Sequence, residues 1–151
     1  MTTREITVRQ AIIDDLNLLV PLFDAYRRFY RQPSAPEQAR HFLNERFEHN
    51  ESVIFLAFDG ADAIGFTQLY PSCSSGAMAR IFVLNDLFVT PEARRCGAGS
   101  ALLQAAAEYG RADGAIRLML STETANTTAQ LVYERMGWKR DTVFCVFQLA
   151  L

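Results

Sequence analysis

The alternation of apolar and polar positions along the chain predicts a mixed order of strands and helices. Ile6 and Val8 against Thr7 and Arg9 give a short first strand over 6–10. Asp14 and Asp15 read as helix-start residues. Leu16, Leu19, Val20, Phe23, Tyr26 and Phe29/Tyr30 then follow helical spacing, with Pro21 either early in a later-starting helix or at a kink. The Gln32–Pro36 stretch breaks this helix, and a more polar helix is expected over 37–48. Residues 52–59 form a strongly apolar strand, Asp59-Gly60 signals a hairpin, and 63–70 is the return strand. Residues 71–76 read as a loop, and 78–89 as a long strand closed by Thr90-Pro91. A helix opens near Gly99 and runs to about Arg111, with Leu102, Leu103 and Ala106 on its apolar face. Residues 115–121 alternate as a strand through Ile116, Leu118 and Leu120. Asn126 is placed to cap a helix over 127–136 that Gly137 stops, and 138–151 is expected to be β-rich.

A run of hairpins followed by a β-α-β unit implies an α/β fold with a mixed sheet and helices on its faces. No repeat, low-complexity segment or linker divides the chain, so 1–151 is read as a single domain. With 50% hydrophobic and 21% charged residues, disorder and a disulfide scaffold are excluded. A net charge of −2 gives no basic footprint for nucleic acid. No apolar run approaches the ~20 residues of a membrane span, and the first five residues lack a signal-peptide core. Cys73, Cys96 and Cys145 are odd in number and widely spaced, which points to reduced thiols and a cytoplasmic setting. His41 and His49 are too few for a multi-histidine metal site, so no metal is expected.

The chemistry concentrates between Asn85 and Ser100, where a strand ends, a basic glycine-containing loop follows and a helix begins. Glycines allow close backbone approach to a ligand. The helix start offers unpaired N–H groups and partial positive charge, which together suit a phosphate. Arg94 and Arg95 add local positive charge. The loop matches neither GxxxxGK[ST] nor GxGxxG, which disfavours P-loop and dinucleotide folds.

The spacing Arg94-x-x-Gly97-x-Gly99 resembles the pyrophosphate loop of the GNAT superfamily of N-acetyltransferases, [Gln/Arg]-x-x-Gly-x-[Gly/Ala]. Its context agrees: Asp86-Leu87-Phe88-Val89 before it, Leu102-Leu103 after it, and the run Thr122, Asn126, Ala129, Tyr133, Gly137-Trp138 further on. Tyr26-x-x-Phe29-Tyr30, Leu84 to Val89 and Ala129 to Tyr133 look most like the branch of small amine acetyltransferases that includes histone/polyamine and D-amino-acid enzymes.

This resemblance implies a mostly antiparallel sheet of six or seven strands with a splayed parallel pair, flanked by about four helices. It implies acetyl-CoA as cosubstrate. The main chain of Leu87, Phe88 and Val89 would pair with the pantetheine arm. Arg94, Arg95, Cys96, Gly97, Ala98, Gly99 and Ser100 would hold the pyrophosphate, and Asn126 would contact the cofactor arm. Tyr133 matches the family's general acid. A phenol of pKa about 10 can protonate a departing thiolate whose conjugate acid lies near 8.5. Tyr26, Tyr30, Gln68, Tyr70 and Asn85 would line the acceptor pocket, where Arg27, Arg28 or Arg31 could meet a substrate carboxylate. Related diamine enzymes often carry a carboxylate where this chain has Asn85, so the base stays unassigned between Asp86 and Glu123. Strand alternation places Asp86 on the face opposite Asn85.

The function implied is acetyl transfer by direct attack of a small-molecule primary amine, an amino acid or a polyamine. A protein lysine or N-terminus is the alternative acceptor, and a non-catalytic acyl-CoA sensor the alternative class. Neither nucleic acid nor membrane is expected as a partner. A homodimer is expected by analogy with related small enzymes, and a redox role for Cys96 is an open question beside its place in the loop.

Overall fold

The computed structural model describes residues 4–151, so the first three residues of the N-terminal stretch lie outside it. The chain groups into two compact units, one up to Leu120 and one from Ser121 to Leu151.

The first unit is built on a sheet of five strands: β1 (Ile6–Gln10), β2 (Val53–Asp59), β3 (Asp62–Ser74), β4 (Ala79–Val89) and β5 (Leu118–Met119). They lie in the order β1-β2-β3-β4-β5. The first three pairings are antiparallel and β4–β5 is parallel. The mixed, mostly antiparallel architecture is the one expected, with five strands in place of six or seven.

Helices α1 (Leu16–Phe29) and α2 (Pro36–Glu48) cover one face of this sheet. Leu19, Val20, Phe23 and Leu43 pack there on Ile54, Leu56, Phe58, Phe66 and Phe88. Burying each large side chain of this set contributes roughly 1.5–3 kcal/mol. Helix α3 (Ala98–Ala112) covers the other face, where Tyr109 meets Phe55 and Phe82 edge-on.

Helix α1 runs through Pro21 without a break. At its start the buried Asp15 carboxylate accepts two hydrogen bonds from Arg9 at 2.8 Å and one from the Ile12 N–H at 2.8 Å. The Arg9 bonds, with the Ile12 N–H, hold the Asp15 carboxyl below its ordinary value against the effect of burial. Further along α1, Asp24 fastens the start of α2 by accepting from Ser34 Oγ and the Ala35 N–H, each at 2.7 Å. Burial raises its carboxyl, but these two bonds and the nearby Arg27 and Arg28 bring it below the ordinary value.

Three stretches depart from the sequence reading. Residues 71–74, expected as loop, extend β3, because β4 pairs with them down to Ser74–Ala79. Pro71 is tolerated since β2 ends opposite Leu69, so its missing N–H lies on an unpaired edge. The strand expected over 115–121 shrinks to Leu118–Met119, because only Phe82 and Val83 of β4 pair with it. Residues 138–151 form no strand: β structure is decided by a pairing edge, which the apolar alternation does not itself provide.

A bulge in β4 sets which way the second half of that strand faces. Gln68 of β3 pairs with Asp86 while the next residue, Leu69, pairs with Leu84, so Asn85 is the extra residue. A bulge of this kind re-aims the side chains beyond it. Before it Phe82 faces α3, and after it Phe88 faces α1.

The second unit holds α4 (Thr127–Arg135). The Asn126 side chain caps it as expected, accepting from the Ala129 N–H at 3.2 Å, and Gly137, with φ of 95°, follows its end. Among the described residues no helix is long and apolar enough to cross a membrane.

Candidate active site

Strand β4 carries two chemically different regions. The first is its C-terminal end and the loop into α3. Parallel pairing with β5 stops at Val83, while β3 continues to pair with β4 as far as Val89. The main chain of Leu84–Val89 therefore has a sheet partner on its β3 side only, among the described residues. Phe88 turns its ring into the core beneath α1, and Leu87 and Val89 are half-buried.

In the loop, Arg94 folds back on this strand end. Its Nε donates to the Val89 carbonyl at 3.0 Å, and its guanidinium lies over the rings of Phe29 and Phe88 at 5.3 and 5.7 Å. Arg95 is exposed with a left-handed φ of 64°. The Cys96 thiol donates to the Ala93 carbonyl. Gly97 caps α3 with φ of 89°, a conformation glycine adopts without strain. No side chain caps this helix, and its first turn closes by the Ala101 N–H to the Gly97 carbonyl at 3.0 Å. The preceding N–H groups of a helix have no acceptor within it and carry the positive end of its dipole. Ala98 is buried, Gly99 half-buried and Ser100 exposed. A Cβ on Gly99 would meet nothing within 4 Å, so the structure itself does not demand glycine there. This donor set, lacking an acidic side chain from Arg94 to Ser100, fits a pyrophosphate.

The second region is a cavity of about 410 Å³ between α1, α2, β3 and β4. Phe23, Tyr26, Phe42 and Tyr70 supply aromatic surface, with Arg27, Asn85 and Asp86 among the polar lining. Asp86 is 2% exposed. Its Oδ2 accepts from Gln68 Nε2 at 2.5 Å and its Oδ1 from Asn85 Nδ2 at 2.7 Å. Gln68 is itself tied to Ser52, whose hydroxyl donates to its Oε1 at 2.7 Å. The Tyr26 hydroxyl donates to the Asn85 carbonyl at 3.3 Å.

Burial pushes the Asp86 carboxyl up, against hydrogen bonds from Asn85, Gln68 and Tyr26. Burial, then the Asp86 charge, pushes the Tyr70 phenol up to about 12. The same two causes raise the Tyr26 phenol further, so both tyrosines stay protonated.

Of the five acceptor-pocket residues expected from the sequence, Tyr26, Tyr70 and Asn85 line this cavity. Gln68 is wholly buried and backs Asp86 rather than lining the space. Tyr30 stands edge-on to Tyr26 at 5.1 Å, outside the lining. Of Arg27 and Arg28 on α1 and Arg31 just beyond its end, Arg27 alone is in the wall. The expectation that Asp86 faces away from Asn85 is corrected: the bulge at Asn85 brings both to one cavity. Phe23 and Phe42, stacked at 5.8 Å, were not singled out from the sequence. Their signal was only apolar periodicity, shared with every core residue. His41 pairs with Glu45 at 3.2 Å on α2, and neither histidine lines the cavity.

In the second unit, Tyr133 lies on α4 with its ring 6.1 Å from that of Trp138, and the Trp138 N–H donates to the Tyr133 carbonyl at 3.0 Å. Glu123 is exposed in the same unit.

Comparison with known proteins agrees with this fold. The model of the acetyltransferase (GNAT) family matches residues 19–138. The uncharacterised N-acetyltransferase YhfO of Bacillus subtilis (strain 168) is 50% identical over 137 residues, covering 91% of this chain and 92% of that protein. The crystal structure of a probable acetyltransferase superposes with a TM-score of 0.91 at 42% identity, covering 96% of this chain and 97% of that one. The D-amino-acid N-acetyltransferase HPA3 of Saccharomyces cerevisiae is 37% identical over 92 residues, covering 58% of this chain and 56% of that protein. The chain belongs to the GNAT family. It is an N-acetyltransferase.

Proposed function

We propose that the protein transfers an acetyl group from acetyl-CoA to the primary amine of a small molecule, an amino acid or a polyamine. The observation that carries this reading is the pairing, on one strand, of a basic glycine-containing loop and helix start with an aromatic-lined cavity that has a buried carboxylate in its wall. The relatedness to an enzyme named for D-amino acids supports a small acceptor.

In this reading the half-paired edge of Leu87–Val89 and the loop from Arg94 to Ser100 hold the cosubstrate, and the family resemblance gives Asn126 a contact with its arm. Bound there, it supplies an acetyl thioester. The acceptor amine, with a pKa near 10.4, must lose a proton before attack. Asp86, raised by burial and reached from the cavity, is the base we assign, acting directly or through water. The acceptor nitrogen bonds the acetyl carbon and gives its second proton to solvent, the carbon–sulfur bond breaks, and the thiolate takes a proton, a donation that the family resemblance gives to the Tyr133 hydroxyl. Solvent returns that proton to Tyr133 and takes the one held by Asp86.

Release of free CoA across a panel of L- and D-amino acids, polyamines, aminoglycosides and a lysine peptide tests the reading. Turnover with an amino acid or a polyamine supports it. Turnover of the peptide alone replaces the acceptor class. Retained acetyl-CoA binding with no acceptor at all supports a non-catalytic sensor. In Tyr133→Phe, kcat should fall about 10²-fold or more while acetyl-CoA affinity stays within about twofold. An unchanged kcat removes Tyr133 from the mechanism.

A further inference from the structure

The cavity's charges are few and unlike. Among its lining residues Asp86 is the one acid and Arg27 the one base, and the remaining walls are aromatic, small or amide-bearing. We infer that Asp86 takes the ammonium and Arg27 the carboxylate of a single zwitterionic acceptor, an amino acid with an apolar side chain. This rests on the acetyl-transfer reading and narrows its acceptor.

Asp86 is equipped for a cation. Each of its oxygens accepts one hydrogen bond from a neighbouring amide, from Gln68 and from Asn85. A carboxylate offers about four acceptor positions, so even with the Tyr26 hydroxyl as a third donor one position remains for an incoming N–H. Burial disfavours its charge, and an ammonium in the cavity is the counter-charge that restores it.

Arg27 is equipped for an anion. Its Nη1 donates to the Pro33 carbonyl at 2.9 Å, which tethers one arm of the guanidinium and leaves further donors on the fork. The neighbouring Asp24 already accepts from Ser34 and Ala35.

A polyamine fits poorly, because its second ammonium would meet Arg27 rather than a second carboxylate. The stacked Phe23 and Phe42, with Tyr70, give an apolar side chain its surface. A volume near 410 Å³ is at the small end of ligand pockets, which suits one amino acid better than an oligosaccharide amine.

The test is calorimetric binding of phenylalanine (each enantiomer), phenethylamine and spermidine to the CoA-loaded protein and to its Arg27→Met variant, with folding of the variant checked by its urea midpoint. Phenethylamine keeps the ring and ammonium and lacks only the carboxylate. Expected is a preference of about tenfold or more for one phenylalanine enantiomer over phenethylamine, lost in Arg27→Met. The inference is overturned if phenethylamine or spermidine binds as tightly as phenylalanine, if the preference survives in Arg27→Met, or if none of the three binds. Turnover with acetyl-CoA separates the two claims. Arg27-dependent binding without acetylation sinks the enzymatic reading and keeps the acceptor assignment. Acetylation of spermidine but not of phenylalanine does the reverse.

Discussion

The two regions of β4 are built on opposite plans. The loop from Arg94 to Ser100 is mostly exposed and offers main-chain donors at the start of α3, with Gly97 supplying the backbone shape. The cavity around Asp86 is a recess made of side chains from four elements, held by a hydrogen-bonded chain from Ser52 through Gln68 to Asp86. Main-chain recognition suits a ligand part that never varies, such as a pyrophosphate, since every residue carries the same N–H. Side-chain recognition suits an acceptor that differs between relatives, since it can change by substitution.

Substitutions that hit one plan and spare the other would sharpen this contrast. The largest effect is expected at Asp86. Asp86→Ala removes the acceptor of the Gln68 and Asn85 amides within a buried site and should cost about 3 kcal/mol in urea unfolding. Acceptor binding should vanish while acetyl-CoA affinity stays within about threefold. A matching loss of acetyl-CoA binding would break the separation.

Gly97→Ala should cost about 1–2 kcal/mol, because a residue with a Cβ is strained at φ of 89° even where nothing obstructs it. It should weaken acetyl-CoA about tenfold, read by calorimetry, and leave the cavity intact. Gly99→Ala is the finer probe. With open space at its Cβ and a place in the first turn of α3, it should be neutral or stabilising by up to about 1 kcal/mol. Acetyl-CoA affinity should nevertheless fall if the proposed cradle is right, because the added methyl would then stand where the phosphates approach. Unchanged affinity would remove Gly99 from the proposed cradle.

The smallest effect belongs to a control away from both regions. Asp15 is held below its ordinary 3.8 by Arg9. A depressed carboxyl stabilises the fold above its unfolded-state value and loses that contribution as the pH falls through its folded value. In thermal melts the wild type should therefore lose this contribution below about pH 4. Asp15→Asn should cost under about 1 kcal/mol at neutral pH and flatten that acid-side slope, with ligand binding unchanged.

The same contrast explains what was legible in the sequence. The loop could be read because its parts are contiguous: Val89 ends a strand, Gly97 turns the chain and Ala98 begins a helix, all within a dozen residues. The Asn126 cap and the Gly137 stop were legible for the same local reason. The cavity was only half legible. Tyr26, Tyr70 and Asn85 could be named, but Phe23 and Phe42 carried no mark distinguishing them from core residues, and Gln68 proved to be a support behind Asp86. Nothing local distinguishes Arg27 from Arg28 or Arg31 as the arginine in the wall.

By itself the sequence determined the family, the glycine-containing strand-to-helix loop and the elements whose signals lie within a few residues. Tertiary structure decided the extent of the strands, since β3 lengthens and β5 shortens according to what β4 offers each of them. It also decided which way Asp86 points. A single unpaired residue at Asn85 moves the next carboxylate to the other face of the sheet, and a bulge exists only in the register between two strands.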